Sequence, residues 1–501
     1  VTIIFNPNEG NKGMVGATQC YAHTGIITSA SSNDGDWKNV VESWRENTSK
    51  TQLTKDGNNW KLVIPNIYTF YNCSKSTDIQ KLAFVFHDGK GGSKEGKTAE
   101  NTDIFVELAE VGLAASISTS MPEISSIGQS VTLNCYATAT ATLTLKLNGS
   151  VVKTANGTEM TYAHKLDKQG NYNFELTATN GTETKTATAF TCVPTAPIKA
   201  NRPTGIVNGI YYDKNDQTKV TLCTFAGSKT EPAKHVFVVG DFNDWTISND
   251  YQLKQANDSA YFWIELSGLT PQKEYAMQYV VVRADGQVKR ISDLYSELVL
   301  HKDDSWEPSQ NYPNLKPYPA AGEGYVTVIQ TGKPEFNWSD ATLNFKRPNK
   351  NNLIIYELWV RDHTPARTFK GLMERMEYFE DLGVNAIELM PICEFDGNDS
   401  WGYNPNHYFA VDKSYGSSDE LKLFIDECHK RGIAVIIDMV FNHTTGQNPM
   451  AELYPYGNDL KDNPWFNKTG SIPHKDREFE PDWNHDFGPT KTMFIRCFQY
   501  W

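Results

Sequence analysis

The stretch that decides the fold is Ile433-Ala-Val-Ile-Ile-Asp-Met-Val-Phe-Asn-His443. Residues 433–437 are apolar and mostly β-branched, which predicts a strand buried on both faces, as in parallel sheets. Three polar side chains follow this run: Asp438, Asn442 and His443. Active sites of parallel α/β barrels are built where strands end, so these polar groups are candidates for chemistry.

The residues around this stretch alternate between strand and helix patterns. Strands are predicted over 353–360 and 386–390, and the order βαβαβ predicts a parallel sheet with right-handed crossovers. Glycines at 383 and 432 are predicted to end the two helices between the strands. A third helix is predicted from about Thr490. The apolar faces of the three helices are predicted to carry Leu372, Met376, Phe379 and Leu382; Leu421, Phe424, Ile425 and Cys428; and Met493, Phe494, Cys497, Phe498 and Trp501.

The segment Asp438-Met-Val-Phe-Asn442-His443 resembles the first signature motif, Asp-x-x-x-Asn-His, of the α-amylase family, glycoside hydrolase family 13. The resemblance implies a (β/α)₈ TIM barrel that acts on starch or glycogen. Such enzymes retain anomeric configuration through a nucleophilic carboxylate and a general acid about 5 Å apart. In the family these groups follow later strands than the three predicted here. We therefore assign no catalytic carboxylate, expect both beyond Trp501, and expect the chain alone to be inactive.

The same resemblance gives supporting roles to the polar residues after the third strand. Asp438 matches the aspartate that buttresses the nucleophile and borders the subsite where the bond breaks. His443 matches the histidine that hydrogen-bonds the sugar beside the cleaved bond. Asn442 matches a residue that orients the loop and, in many members, binds calcium through an oxygen.

The loop after the second strand, Trp401-Gly-Tyr-Asn-Pro-Asn-His407, resembles the Trp-Gly-Tyr-x-Pro segment of the family. The match implies that Tyr403 stacks on the glucose at the cleavage subsite. Gly402 would permit the close backbone approach that this turn needs. For Trp401 and His407, sugar contact and simple closure of the barrel mouth both stay open.

The segment Glu480-Pro-Asp-Trp-Asn484 resembles the Pro-Asp-x-Asn motif near the end of the family's protruding domain, here predicted over 444–489. The resemblance makes Asp482 a calcium partner of Asn442, so calcium is the candidate metal. No organic cofactor is expected.

Upstream of the barrel pattern, short runs of alternating apolar and polar residues predict all-β sandwich units. A proline-rich linker over 193–203 predicts a boundary. The predicted division is 1–110, 112–195 and 204–305 for three β units, 306–350 for a connector, and 351–501 for the first part of the barrel.

In the first unit, Phe84-Val-Phe-His-Asp-Gly-Lys-Gly-Gly92 and Asp103-Ile-Phe-Val106 resemble starch-binding modules of the family 25/26 type. Sugars present flat C–H faces with hydroxyl rims, which suit aromatic rings flanked by hydrogen-bonding groups. Trp37, Trp44 and Tyr71 are the candidate sugar platforms, whereas Trp60, in strand alternation, is expected in the core.

The second unit has strand-length runs at about ten-residue spacing, which predict an immunoglobulin-like spacer with a hairpin turn at Asn148-Gly149. In the third unit, Gly240-Asp-Phe-Asn-Asp-Trp245 resembles the family 48 carbohydrate-binding module that precedes many family 13 barrels. Trp245 is expected either to stack on a glucan or to serve packing.

Composition narrows the functional classes. A net charge of −13 and a pI near 5.4 argue against nucleic acid binding. No apolar run approaches the roughly 18–20 residues that span a bilayer. The eight cysteines show no zinc spacing. Cys393, Cys428 and Cys497 are expected as buried thiols, and a pairing of Cys135 with Cys192 stays open.

Three functional hypotheses remain. The first is an endo-acting, α-amylase- or neopullulanase-like hydrolase of starch, glycogen and maltooligosaccharides, with pullulan as a further candidate. The second is a glucan-binding protein with an inert barrel segment, and the third is a branching or transglycosylating family member.

Several binding units suit a polymer, which suggests a secreted, periplasmic or surface-attached bacterial protein. Val1 is expected to be a processed or engineered start, and the oligomeric state stays open.

Three parallel strands cannot close a barrel, because eight are needed for side chains to fill its interior. We therefore expect strand 433–437 to present an open edge. We also expect the apolar face of Met493, Phe494, Cys497 and Phe498 to lack packing partners.

Overall fold

The computed structural model describes residues 1–74, 77–107, 113–257, 259–306, 309–455, 462–467 and 481–501. Their strands form three all-β units followed by a parallel α/β segment, which confirms the predicted fold class. The predicted boundary at 110–112 lies outside the described residues. Within these ranges, no helix is both long and apolar enough to cross a membrane.

The first unit is a two-sheet sandwich. One sheet has the order β1-β4-β3, and the other has the order β2-β5-β6 with β7 also paired to β5. Apolar side chains of both sheets meet in one core, in which Trp60 is buried as predicted. Its elements are β1 Thr2–Phe5, β2 Tyr21–Thr28, β3 Thr54–Asp56, β4 Asn59–Val63, α1 Ile67–Phe70, β5 Ile79–His87, β6 Glu95–Gly96 and β7 Ile104–Glu107.

The second unit is a five-stranded antiparallel sheet with the order β10-β9-β11-β12 and β8 paired to β9. Asn148 and Gly149 both have positive φ, as the predicted hairpin turn requires. Cys135 and Cys192 are both buried free thiols, which excludes the pairing left open by the sequence. Its strands are β8 Ala115–Ser118, β9 Ser130–Leu147, β10 Ser150–Lys165, β11 Gly170–Thr179 and β12 Thr184–Val193.

The third unit has two antiparallel sheets, β13-β14-β17-β16 and β15-β18-β21-β20, with β19 paired to β18. The expected connector over 306–350 is wrong in part, because β21 lies inside it and pairs with β18 and β20. The cause is the apolar run 325–329, every residue of which is buried. The strands are β13 Gly209–Tyr212, β14 Val220–Phe225, β15 His235–Gly240, β16 Lys254–Gln255, β17 Tyr261–Leu266, β18 Glu274–Val282, β19 Val288–Ile291, β20 Val299–Leu300 and β21 Val326–Gln330, and 3₁₀ turns cover Asn249–Tyr251 and Lys302–Trp306.

The last segment contains the predicted parallel sheet, with the order β22-β23-β26 and matching register. A hairpin of β24 and β25 stands beyond the end of β23. The strands are β22 Ile355–Leu358, β23 Ala386–Leu389, β24 Cys393–Phe395, β25 Pro405–Val411 and β26 Ala434–Ile437. The helices are α2 Asp340–Leu343, α3 Val360–His363, α4 Phe369–Met373, α5 Met376–Asp381, α6 Ser418–Lys430, α7 Pro449–Leu453 and α8 Gly488–Tyr500, with 3₁₀ turns over Lys350–Asn352 and Lys413–Tyr415.

Two predictions for this segment need correction. The strand over 433–437 was expected to be buried on both faces, but β26 is half-buried along its length. It is an edge strand whose one neighbour in the sheet is β23, so the open edge is confirmed. The first helix is split into α4 and α5, and Leu382, at the cap after α5, is exposed rather than packed.

Helix α8 has more packing partners than the sequence suggested. Met493, Phe494 and Cys497 are buried in a core shared with the third β unit, whereas Phe498 is 68% exposed. The guanidinium of Arg496 lies 4.2 Å from the ring centroid of Tyr295 in the third unit. The expectation of an unpacked face is therefore wrong for three of the four residues. The rings of Tyr408, Phe441 and Trp483 pack against Phe494, and the Cys497 thiol contacts the Tyr408 backbone.

The extended third unit gives a stability prediction. We expect Ile329→Ala, at a fully buried position of β21, to lower the free energy of unfolding by about 2–5 kcal/mol. The matched control is Ile354→Ala, since Ile354 is 56% exposed and should change stability by less than about 0.5 kcal/mol. Urea unfolding followed by tryptophan fluorescence measures both, and equal effects would contradict the assignment of β21 to the core.

Candidate active site

A hydrogen-bonded network lies where the parallel strands end. The Tyr403 hydroxyl, in the loop between β24 and β25, donates to Asp438 Oδ2 at 2.8 Å. Nε2 of His443 lies 2.7 Å from the backbone oxygen of Tyr403. A carbonyl oxygen only accepts, so His443 Nε2 carries the proton and donates it. The structure therefore brings together the three residues that the family resemblance assigned to the cleavage subsite.

Gly402 sets the position of this loop. Its φ is +88°, and a β-carbon at this residue would lie 2.2 Å from the backbone oxygen of Pro391. No side chain fits at such a distance, so only a glycine allows the loop to approach Pro391, two residues after β23. The expected close approach is confirmed, and it places Tyr403 next to the end of β26.

Carboxylates surround the Tyr403 phenol. Partial burial, the hydrogen bond to Asp438 and the charges of Asp438, Glu357 and Glu388 raise the pKa of Tyr403 to about 12. The phenol therefore stays protonated and donates at neutral pH. Glu357 and Glu388 are register partners on β22 and β23, so their side chains share one face of the sheet. Sequence reasoning missed both, although a charged residue within a buried strand pattern was the available signal.

Trp401 presents an open ring beside this network. It is 62% exposed, and its ring centroid lies 6.0 Å from that of Trp359 at an interplanar angle of 76°. Trp359 is held by its Nε1–H, which donates to the hydroxyl of Tyr415 at 3.0 Å. The structure thus favours an accessible platform at Trp401 over simple closure of the barrel mouth.

His407 lies away from this network, and of the two roles left open by the sequence its burial excludes sugar contact. The side chain is fully buried, with Nε2 2.8 Å from Ser292 Oγ of the third unit and Nδ1 2.8 Å from Asn406 Oδ1. Burial and the positive charge of Lys413 lower its pKa to about 3, so the ring is neutral. His407 links the hairpin to the third unit because β25 points this side chain away from the strand ends.

The two candidate calcium residues are neighbours but do not by themselves fit a calcium site. Trp483 N–H donates to the Asn442 backbone oxygen at 3.0 Å, so the two segments run side by side. The Asp482 carboxylate accepts a hydrogen bond from the Asn467 side chain. Calcium takes six to eight oxygens. The described ranges hold no group of three or more His, Cys, Asp or Glu residues suited to a metal. Calcium binding stays a prediction, and Glu480 and residues 456–461 and 468–479 of the predicted protruding domain lie outside the described residues.

In the first unit, two of the three predicted platforms share a depression of about 510 Å³. The ring of Trp37 stacks on His23 with a centroid distance of 5.5 Å, and Trp44 meets the same His23 edge-on at 5.0 Å. Tyr71 does not reach this surface. It is 1% exposed, and its hydroxyl lies 2.7 Å from Thr24 Oγ1. Tyr71 is therefore corrected to a core residue, because the turn after α1 directs its ring inward.

Trp245 serves packing in the third unit. Its Nε1–H donates to Asp241 Oδ1 at 3.0 Å, and the ring packs against the buried side chains of Phe237 and Ala276. One side of the residue lines a groove shared with Phe174 of the second unit. Of the two roles left open by the sequence, the contacts support packing between the units.

Three parallel strands with connecting helices and a polar network at the strand ends are the arrangement of the first part of a (β/α) barrel. Residues 342–494 match the family model for the alpha amylase catalytic domain. This segment belongs to the α-amylase family, glycoside hydrolase family 13.

Relatives with several different names match parts of this chain. A malto-oligosyltrehalose trehalohydrolase of Saccharolobus solfataricus is 34% identical over 188 residues, covering 36% of this chain and 32% of the relative. A 1,4-alpha-glucan branching enzyme of Oleidesulfovibrio alaskensis is 31% identical over 226 residues, or 42% of this chain and 31% of the relative. Pullulanase A of Streptococcus pneumoniae is 27% identical over 286 residues, which cover 50% of this chain and 20% of the relative. The chain spans about a third or less of the length of these relatives.

The close approach at Gly402 gives a matched pair of variants. Gly402→Ala should displace the loop and lower the melting temperature, because the new methyl group would collide with the Pro391 oxygen. Gly397→Ala is the control, since Gly397 also has positive φ but has no atom within 4 Å of the position that a methyl group would take. The control should cost only the strain of positive φ, about 1–2 kcal/mol. Differential scanning calorimetry measures the melting temperature of both variants. An equal drop in melting temperature would contradict the steric role of Gly402.

Proposed function

We propose that the protein containing this chain is an α-glucan-active enzyme that cleaves glucosidic bonds with retention. The observation that carries the proposal is the network of Tyr403, Asp438 and His443 at the ends of the parallel strands. It holds an aromatic ring, a carboxylate and an imidazole at the edge of the sheet where barrel enzymes act. The family assignment of residues 342–494 supports the same conclusion.

In this proposal the residues of the chain bind and orient the sugar. The Tyr403 ring offers a flat face to the glucose, and its hydroxyl is fixed by donation to Asp438. His443 fixes the backbone of the same tyrosine, so the ring is held from both ends. Such preorganisation lowers the entropic cost of placing the scissile bond. The nucleophile and general acid are proposed to lie on other strands of the complete barrel.

The finer proposal is endo-hydrolysis of α-1,4 bonds, in the manner of an α-amylase or neopullulanase. Branching or transglycosylation is the second candidate, which the similarity to a branching enzyme favours. The two reactions differ in whether water or a sugar hydroxyl receives the glycosyl group. Product analysis on amylose and pullulan separates them. Hydrolysis raises the number of reducing ends, whereas transfer leaves that number constant and creates new linkages.

A substitution series tests the network. In the complete protein, Tyr403→Ala should lower kcat/KM on amylose by about a hundredfold or more, because both the ring and its hydrogen bond are lost. Tyr403→Phe keeps the ring and should cost about fivefold, the equivalent of one hydrogen bond of about 1 kcal/mol. Tyr136→Ala, at a similarly exposed tyrosine of the second unit, is the control. Initial rates measure all three, and a Tyr403→Ala enzyme with unchanged rates would refute the role.

We also propose that the first unit binds starch through the depression lined by Trp37 and Trp44. In a Tyr403→Ala background, the protein should still be retarded in an amylose-containing native gel. Adding Trp44→Ala should weaken the retardation by about tenfold in affinity, since stacking supplies much of the contact. Adding Tyr136→Ala instead should leave the retardation unchanged. Retardation that is insensitive to Trp44→Ala and Trp37→Ala would make the unit a spacer.

A further inference from the structure

A deep cleft separates the third β unit from the outer side of the barrel segment. It encloses about 1000 Å³ between the sheet edge at Tyr212, the 332–338 segment and helix α6. A smaller cavity of about 260 Å³ continues it toward α8. Tyr212 and Glu297 line both spaces, so the two form one continuous cleft. None of its lining residues belongs to the Tyr403 network.

The walls of the cleft combine aromatic rings with hydrogen-bonding groups. Phe336 and Trp338 form a pair with a centroid distance of 4.8 Å and an interplanar angle of 69°. Tyr312 and three glutamine side chains add donors and acceptors. Four carboxylates face three lysine ammonium groups along the walls, so the charges nearly cancel. This balance disfavours a polyanion, whereas flat rings with mixed polar groups suit a neutral polyhydroxylated ligand.

Glu297 is the residue of the cleft that most directly suggests a bound ligand. Its carboxylate lies where the two spaces meet and has no hydrogen-bond or ion-pair partner among the described residues. The side chain is accessible from the cleft, but desolvation by the surrounding walls raises the pKa of Glu297. Beside it, the Tyr212 hydroxyl accepts the Gln330 backbone N–H at 3.2 Å, which leaves its own proton to donate. Glu297 is exposed to the cleft, and the cations Lys333, Lys422 and Arg496 act on its carboxylate without a direct ion pair. Sugar hydroxyls, which both donate and accept, would satisfy Glu297 and Tyr212 together.

We propose that this cleft is a further carbohydrate site, separate from the strand-end site and from the depression of the first unit, and that it binds a segment of α-glucan chain. The α-glucan identity of the ligand rests on the proposed function, whereas the neutral, polyhydroxylated class rests on the cleft itself. A glucan chain held here and at the strand-end site would be bound to the protein at two points. Binding at two points raises the effective concentration of polymer at the site of cleavage.

Calorimetry with maltoheptaose tests the proposal in the complete protein. The background is Trp44→Ala with Tyr403→Ala, which removes one ring from each of the other candidate sites. We expect binding to persist with a stoichiometry of one. Adding Trp338→Ala or Glu297→Ala should then weaken it by about tenfold or more. Trp338→Phe and Glu297→Gln, which keep a flat ring and a hydrogen-bonding group, should stay within about threefold of the background.

Two outcomes would overturn the proposal: no maltoheptaose binding in the background, or binding that neither Trp338→Ala nor Glu297→Ala weakens. If Trp338→Ala lowers the melting temperature, the binding result for Glu297→Ala tests the proposal instead. Glu297 makes no hydrogen bond or ion pair among the described residues, so its substitution removes no such contact. With Tyr403 intact, kcat on maltotriose should be unchanged in Glu297→Ala. A wild-type enzyme without turnover on any α-glucan would refute the proposed function separately, since the binding measurement does not depend on turnover.

Discussion

The arrangement of the candidate site depends on one buried phenol, that of Tyr408. Its hydroxyl donates to the His443 backbone oxygen at 2.7 Å and accepts the Trp483 Nε1–H at 2.9 Å. Its own backbone oxygen accepts the Trp501 Nε1–H at 2.8 Å. A single fully buried residue on β25 thereby joins the loop after β26, the segment around Trp483 and the end of α8. Each bond satisfies a polar group that would otherwise be buried and unpaired, at a cost of about 1–3 kcal/mol.

The same hairpin unites the barrel segment with the third β unit. One hydrophobic core runs from the strands of the third unit to α8, and His407 reaches across it to Ser292. Lys413 pairs in the interior with Glu394 and with Asp304, which lies between β20 and β21 of the third unit. Buried ion pairs add little net stability, but they penalise any other register of the two parts. The third unit is therefore part of the scaffold of the site, and the cleft beside it follows from this packing.

Under the proposed function, carbohydrate recognition and bond specificity have different structural sources. Accessible rings occur in three separate settings: Trp401 at the strand ends, Trp37 and Trp44 in the first unit, and Trp338 in the cleft. All suit a glucan, and none distinguishes hydrolysis from transfer. The related enzymes carry names of three different activities on a shared segment. Chemistry within one fold is set by the groups that admit water or an acceptor, not by the scaffold.

The sequence by itself determined the order βαβαβ and the parallel sheet, and its resemblance to the α-amylase family implied that Tyr403, Asp438 and His443 lie at one site. Hydrophobic periodicity is local, and the carboxyl ends of parallel strands must share one edge. The tertiary structure alone decided that His407 and Tyr71 are buried, that β21 completes the third unit, and that α8 is covered. An aromatic or imidazole side chain among polar neighbours has the same local pattern whether it points to solvent or to another unit. Which surfaces pack together depends on contacts between residues far apart in the chain, and no local pattern contains that information.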